Sequence, residues 1–163
     1  TNDGIYSSVN EGKSWNAEKH GVQLNAFSST NNKILAATNQ GVLASKDYGN
    51  SWEWVFREGA IYTLGADEKE IYLLDFFGTV YRSNTTDFNW FKIDEYPPFH
   101  STFKLTPVSS KFLAVSWKRV LKNLNSVQSG FQPSGLPKDS AFTELLVTPF
   151  GLLAGALRPK QAD

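Results

Sequence analysis

The sequence predicts an all-β fold in which short strands form a series of four-stranded antiparallel sheets. Three observations lead to this prediction. A polar turn recurs at intervals of 37 and 38 residues, an apolar strand recurs at intervals of 37, 41 and 40 residues, and aromatic residues make up 14% of the 163 residues. Aromatic and β-branched residues favour strands. Four strands in each unit of about 40 residues indicate a β-propeller.

The first repeated element is a short strand, often opened by glycine, followed by a polar turn that ends near a tryptophan. Its clearest copy occupies residues 41–52, and an earlier copy occupies residues 4–15. A divergent copy occupies residues 80–90, and a weak fourth copy occupies residues 120–130. We expect each copy to contain the third strand of a unit and the turn that leads into its fourth strand.

The second repeated element is a continuous apolar run, which is typical of a strand buried on both faces. Its copies are residues 34–37, 71–74, 112–115 and 152–155. Another strand is centred eight residues before each run, at Ala26, Thr63, Lys104 and Glu144. Polar or turn-forming residues separate most of these strand pairs, as expected for hairpins.

These repeats divide the chain into three complete units and two partial ones. The complete units are predicted at residues 23–56, 61–93 and 102–133, and the partial units at residues 1–20 and 141–157. The partial units are complementary, because the first supplies strands 3 and 4 and the last supplies strands 1 and 2. They either close a ring of four blades or belong to a larger propeller of up to about eight blades. The absence of methionine at position 1 favours a slice of a larger propeller.

Turn chemistry predicts a structural role for each polar residue of the clearest copy. Asp47 is expected to accept backbone N–H groups and close the turn, and Gly49 to supply a positive φ. Ser45 and Ser51 are expected to hydrogen-bond locally. Trp52 is expected to bury its ring between neighbouring sheets, and its counterparts in the other copies should do the same.

This turn resembles the Asp-box repeat of bacterial neuraminidases, Ser-x-Asp-x-Gly-x-Thr/Ser-Trp. Residues 45–52 match it fully, residues 8–15 place Asn10 at the aspartate position, and residues 83–90 place Thr85 there and Asp87 at the glycine position. The predicted box residues are Ser8, Asn10, Gly12, Trp15, Ser45, Asp47, Gly49, Ser51, Trp52, Ser83 and Trp90. The resemblance implies that these residues are structural and lie on the face away from the binding site.

Proteins with such repeats include sialidases, xyloglucanase-type glycoside hydrolases, sortilin-type receptors and photosystem II assembly factors, so the resemblance leaves the function open. In a propeller, the turns between strands 2 and 3 and the connections between blades flank the mouth of the channel. Candidate binding residues there are Arg57, Glu58, Asp75, Phe76, Tyr96, Trp117 and Arg119. Charged groups beside exposed aromatic rings suit carbohydrate or peptide contact. The alternative is that the aromatic rings pack against adjoining blades.

Composition argues against several classes of site. Lysine plus arginine and aspartate plus glutamate are equal at 16 each, so the chain lacks the basic footprint of a nucleic-acid binder. It has no cysteine, and its two histidines, His20 and His100, have no metal-site spacing. We therefore predict no metal and no cofactor. No apolar run approaches the roughly 18 residues that a transmembrane helix requires.

Catalytic signatures are also missing. Glycosidases use paired carboxylates, and the plausible carboxylates on the mouth face, Glu58, Asp75 and Asp94, have no spacing that links a pair. The sialidase motif Phe/Tyr-Arg-Ile-Pro is absent. We predict a non-catalytic propeller that binds a glycan or a protein, located in the periplasm or outside the cell, with its oligomeric state open.

Two alternative functions remain from the sequence. One is a carbohydrate-active enzyme of the sialidase or xyloglucanase type. The other is an assembly factor that docks on a membrane complex through its basic C-terminal part, because residues 101–163 carry a net charge of +5 and residues 1–100 a net charge of −5.

Overall fold

The structure, a computed structural model, describes the backbone of residues 4–18, 21–30, 32–95, 103–108, 111–116, 120–123, 141–148 and 151–157. Side chains are described up to residue 95, apart from residues 1–3, 18–20, 31 and 94. Fifteen strands and no helix occur within these ranges. The described residues therefore include no helix long and apolar enough to cross a membrane.

The strands form five antiparallel sheets in chain order. The first sheet contains β1 (Ile5–Ser7) and β2 (Asn16–Glu18). The second contains β3 (Leu24–Thr30), β4 (Lys33–Thr38), β5 (Gly41–Ser45) and β6 (Glu53–Phe56). The third contains β7 (Ile61–Ala66), β8 (Glu70–Asp75), β9 (Thr79–Asn84) and β10 (Phe91–Glu95). The fourth contains β11 (Phe103–Val108), β12 (Lys111–Ser116) and β13 (Val120–Asn123), and the fifth contains β14 (Ala141–Thr148) and β15 (Gly151–Leu157).

The first strands of the second and third sheets lie side by side. The Asn25 side-chain amide on β3 donates a 2.8 Å hydrogen bond to the carbonyl oxygen of Ile61 on β7. The backbone N–H of Ala66 on β7 donates to the hydroxyl of Ser28 on β3 at 3.2 Å. Sheets that pair each strand with its neighbour in sequence, and that meet through their first strands, form the arrangement of a β-propeller.

The central strand β4 is buried on both faces, which explains its continuous apolar sequence. Leu35 and Ala37 pack toward the third sheet, in a cluster that includes Ile71 on β8. Ala36 packs in the opposite direction, in a cluster that includes Ile5 on β1. Successive side chains of a strand point to opposite faces, so an unbroken apolar run fits a strand that lies between two sheets.

Gly41 starts β5 at a place where the backbone of β6 comes very close. Its φ is +141°, and a Cβ added at this position would lie 2.0 Å from the carbonyl oxygen of Phe56. Only glycine permits this approach without displacing backbone. The pairing of β5 with β6 at this end of the second sheet therefore depends on the missing side chain.

Candidate functional site

The two ends of the second and third sheets differ in their chemistry. One end is formed by residues 57–60, which connect these sheets, and by residues 76–78, which join β8 to β9. We call this end the rim. The opposite end carries the polar turn of residues 45–52. The backbone N–H of Phe76 donates a 3.4 Å hydrogen bond to the carbonyl oxygen of Ala60, so the two rim segments are joined.

The rim turn between β8 and β9 is held by one carboxylate. Oδ1 of Asp75 accepts hydrogen bonds from the backbone N–H groups of Phe77 and Thr79, both at 2.8 Å. Gly78 has a φ of +90°, a conformation that glycine adopts readily. Side-chain acceptance by aspartate is a common way to close such turns. The backbone that carries the rim phenylalanines is therefore fixed in place.

Two aromatic rings on this turn are exposed to solvent. The side chain of Phe76 is 47% exposed and that of Phe77 is 72% exposed. The Phe76 ring contacts Tyr62 on β7 edge to face, with 5.3 Å between the ring centres and an interplanar angle of 89°. Packing against a neighbouring ring, the alternative to a binding role, therefore accounts for only one side of Phe76. Phe77 presents its apolar ring to solvent.

Arg57 and Glu58, both exposed, lie in the connection next to this turn. The Arg57 guanidinium lies 4.9 Å from the centre of the Trp54 ring, a cation–π distance. Burial, and then the negative charges of Asp75 and Glu58, raise the pKa of Tyr81 on β9. Both carboxylates are therefore close enough to act on the same hydroxyl group.

Of the seven predicted binding residues, Arg57, Glu58 and Phe76 lie on the rim, and Asp75 lies next to it as the last residue of β8. The side chains of Tyr96, Trp117 and Arg119 lie outside the described residues. Sequence reasoning missed Trp54 and Tyr62, whose rings contact the predicted binding residues Arg57 and Phe76. Among the side chains that the structure describes, no three histidine or acidic groups come together as metal ligands.

The polar turn of the second sheet forms a closed hydrogen-bond network. Ser45 donates its hydroxyl to Asp47 at 2.9 Å and accepts the backbone N–H of Gly49 at 2.8 Å. Asp47 accepts the backbone N–H of Ser51 at 2.8 Å and its hydroxyl at 2.6 Å. The Ser51 hydroxyl, the Ser51 backbone and Ser45 hold the pKa of Asp47 below its ordinary value. These contacts are those of a structural turn.

The first sheet builds the same network with an amide. Asn10 accepts the hydroxyl of Ser8 at 3.0 Å and the backbone N–H of Ser14 at 2.9 Å, and its own amide donates to the Ser14 hydroxyl at 2.8 Å. Ser8 accepts the backbone N–H of Gly12 at 2.8 Å. Asparagine therefore replaces aspartate in this turn without changing its hydrogen-bond geometry.

The third sheet uses a different residue to close its polar turn. Oδ1 of Asn84 accepts the backbone N–H groups of Thr86 and Asp87, each at 2.9 Å. Thr85 is buried and donates its hydroxyl to the carbonyl oxygen of Glu68 at 3.0 Å. The turn-closing acceptor thus lies one residue earlier than the alignment of Thr85 with aspartate predicts.

Two tryptophans pack on the sheet that precedes their own. Trp52 contacts the cluster of Ile5 and Val22, which joins the first and second sheets. Trp90 lies against the second sheet, where its Nε1–H donates to the carbonyl oxygen of Val55 at 2.7 Å. Each ring is half-buried, and each connects two consecutive sheets.

The expectation that Trp15 is buried in the same way is wrong, because 62% of this residue is exposed. Trp15 belongs to the first sheet in chain order, and no described sheet precedes it.

No protein-family model matches the sequence, and a comparison with curated proteins finds no match. The chain is similar to the solved structure of YCF48 bound to D1 peptide, with 18% identity and a TM-score of 0.63 over 89% of this chain and 53% of that chain. It is also similar to YCF48 from Cyanidioschyzon merolae, with 11% identity and a TM-score of 0.60 over 93% and 58%. PorZ, a surface component of the type-IX secretion system of Porphyromonas gingivalis, shows 16% identity and a TM-score of 0.52 over 88% and 22%.

These structures are β-propeller proteins, and the likeness confirms the predicted β-propeller fold. The chain spans about half the length of the two YCF48 chains. At these identities the similarity concerns the fold alone.

Proposed function

We propose that this protein is a non-catalytic β-propeller that binds a segment of a protein partner at the rim. The observation that carries the proposal is the exposure of Phe76 and Phe77 on a turn whose backbone is fixed by Asp75. Exposed aromatic side chains that fill a partner's pocket supply much of the energy of protein interfaces. A fixed backbone lowers the entropic cost of binding.

The similarity to a propeller bound to a peptide supports the same class of partner. Paired aromatic rings, here Phe76 against Tyr62, present apolar area without requiring long flexible side chains to be ordered. An assembly role is one form of this proposal, in which the rim holds a segment of a client protein. For the repeat itself we propose an Asp-box origin, supported by the contacts of Asp47 with Ser45 and Ser51.

No contact among the described rim residues favours a glycosidase. Asp75 commits Oδ1 to two backbone amides, so this carboxylate already serves the turn. Glycosidic hydrolysis needs two carboxyl groups at a defined separation on either side of the bond. The binding proposal uses the same residues without this requirement.

The test is binding of the purified chain to a peptide array, followed by fluorescence anisotropy with the peptides that it captures. We expect Phe77→Ser to weaken binding about 5- to 30-fold, the usual range for loss of an interface anchor. The matched control is Tyr48→Asn, which removes a 71% exposed aromatic side chain at the opposite end. It should leave binding unchanged.

Two results would overturn the proposal. One is an equal loss of binding in Phe77→Ser and Tyr48→Asn, which would show that the rim is not the binding surface. The other is hydrolysis of sialosides or xyloglucan oligosaccharides by the wild-type chain that Glu58→Gln abolishes. That result would replace binding with catalysis at the same end.

A further inference from the structure

The charges beside the exposed aromatic rings of the rim are unbalanced. Glu58 is exposed, and its carboxylate forms no ion pair with any side chain that the structure describes. Asp75 accepts hydrogen bonds only from neutral backbone groups among the described residues, so its negative charge also remains. The segments that carry these two groups are joined by the 3.4 Å hydrogen bond from the Phe76 N–H to the carbonyl oxygen of Ala60, and both groups raise the pKa of Tyr81.

Two cations lie near these carboxylates, and Asp75 makes a small contribution to the raised pKa of one of them, Lys92. Lys92 forms its ion pair with Glu95. Arg57 lies over the ring of Trp54 and forms no ion pair with a described side chain. Two carboxylates, Glu58 and Asp75, thus face one guanidinium, Arg57, so the balance of charge beside Phe76 and Phe77 is negative.

We infer that the rim selects peptide segments in which a lysine or arginine lies next to an apolar residue. This inference rests on the proposed function and specifies the chemistry of the partner. The apolar side chain would cover Phe77, and the neighbouring cation would reach the carboxylate of Glu58. Lysine and arginine place their methylene groups along apolar surfaces while the charged end contacts a polar group.

Complementary charge has two consequences for such a complex. It increases the rate of association through long-range attraction, and it discriminates against acidic segments, which would meet two like charges. Rim charges of this kind are screened by salt. The preference for basic segments should therefore be strongest at low ionic strength.

The test uses three peptides that differ only at two central positions, which are flanked by leucines. Both central residues are lysine in the first peptide, glutamine in the second and glutamate in the third. Anisotropy titrations with the full chain should give about tenfold tighter binding for lysine than for glutamine, and weaker binding still for glutamate. Glu58→Gln should reduce the lysine preference to about threefold or less. In the wild type, raising the salt concentration from about 0.05 M to about 0.5 M should also reduce the preference for the lysine peptide.

Controls separate this inference from the proposed function. Glu58 is exposed, so Glu58→Gln should unfold at the same temperature as wild type, and Phe77→Ser should weaken all three peptides alike. Equal binding of the three peptides, with Phe77→Ser still weakening each of them, would overturn the charge preference and leave the proposed function intact. Absence of binding to the lysine peptide would overturn the inference. The proposed function would be overturned as well only if no peptide on the array is captured in a way that depends on Phe77.

Discussion

The indole Nε1–H of Trp90 donates a 2.7 Å hydrogen bond to the carbonyl oxygen of Val55, across the junction of the second and third sheets. The Trp90 ring also meets Phe56 edge to face, with 5.4 Å between ring centres. One side chain therefore supplies both apolar and polar contact between two sheets. Removing the donor from a half-buried carbonyl group lowers the stability of the folded protein.

We expect Trp90→Phe to lower the free energy of unfolding by about 1–2 kcal/mol, because it keeps an aromatic ring and removes the donor. The measurement is urea unfolding followed by circular dichroism. Trp15→Phe is the matched control and should change stability by less than about 0.5 kcal/mol, since Trp15 is mostly exposed. Equal effects of the two substitutions would contradict the role assigned to the hydrogen bond.

Gly41→Ala should destabilise the protein by about 2 kcal/mol or more. The new Cβ would lie 2.0 Å from the carbonyl oxygen of Phe56, and φ at this position is +141°. Gly59→Ala is a close control, because its φ of +154° is similar and no atom lies within 4 Å of the added Cβ. If thermal unfolding shows the same midpoint shift for both variants, the clash with β6 is not the cause.

Asp47→Asn should make the free energy of unfolding less dependent on pH in the acidic range. The folded-state pKa of Asp47 lies below 3.8 because Ser51 and Ser45 donate hydrogen bonds to the carboxylate. The stabilisation from its ionised form is therefore complete above the unfolded-state pKa and is lost as the pH falls through the lowered folded-state pKa. Asn10 shows that an amide fits the same network.

The check on this prediction is denaturant unfolding of wild type and Asp47→Asn between about pH 7 and pH 2. The wild type should be the more stable at neutral pH, and the gap should narrow as the pH falls below 3.8. A gap that stays constant over this range would show that ionisation of Asp47 contributes nothing to folding.

Asn25→Ala should reduce the free energy of unfolding by about 1–3 kcal/mol, because the carbonyl oxygen of Ile61 would lose its donor at the contact between β3 and β7. Asn16→Ala, an exposed substitution on β2, serves as the reference and should have little effect. Hydrogen exchange measured by mass spectrometry should show faster exchange in β3 and β7 for Asn25→Ala alone. Unchanged protection of both strands would count against this link.

The strand order followed from the sequence because burial on both faces leaves a clear signature. Residues 34–37 and 71–74 form apolar runs at a spacing of 37, and each became the second strand of a four-stranded sheet. Asp47 likewise occupies the position in its turn that acceptor chemistry predicts. Local patterns such as these depend on residues that are close in the chain.

The polar turn of the third sheet was less predictable. Asn84 closes it in place of Thr85, and a positive φ of 54° falls on Phe88, a residue type that seldom adopts this conformation. Small changes in spacing shift which side chain reaches the free N–H groups. Residue type alone does not decide between adjacent acceptors.

Contacts between segments were also beyond the sequence. Residue order alone does not show that Tyr62 meets Phe76, and the exposure of Trp15 depends on which sheet lies beside it. The rim could be assigned from topology, since turns at the same end of neighbouring sheets must meet. The orientation of each ring on the rim could not.

The hydrogen bonds that join the second and third sheets have a consequence for cooperativity. Those from Asn25 to Ile61, from Thr30 to Asp67 and from Trp90 to Val55 all cross this one junction, and the first two lie at its two opposite ends. In repeat architectures, stability resembles a sum over units and the junctions between them. Weakening this junction should therefore split a single unfolding transition into two, with the third sheet and those after it melting apart from the first and second.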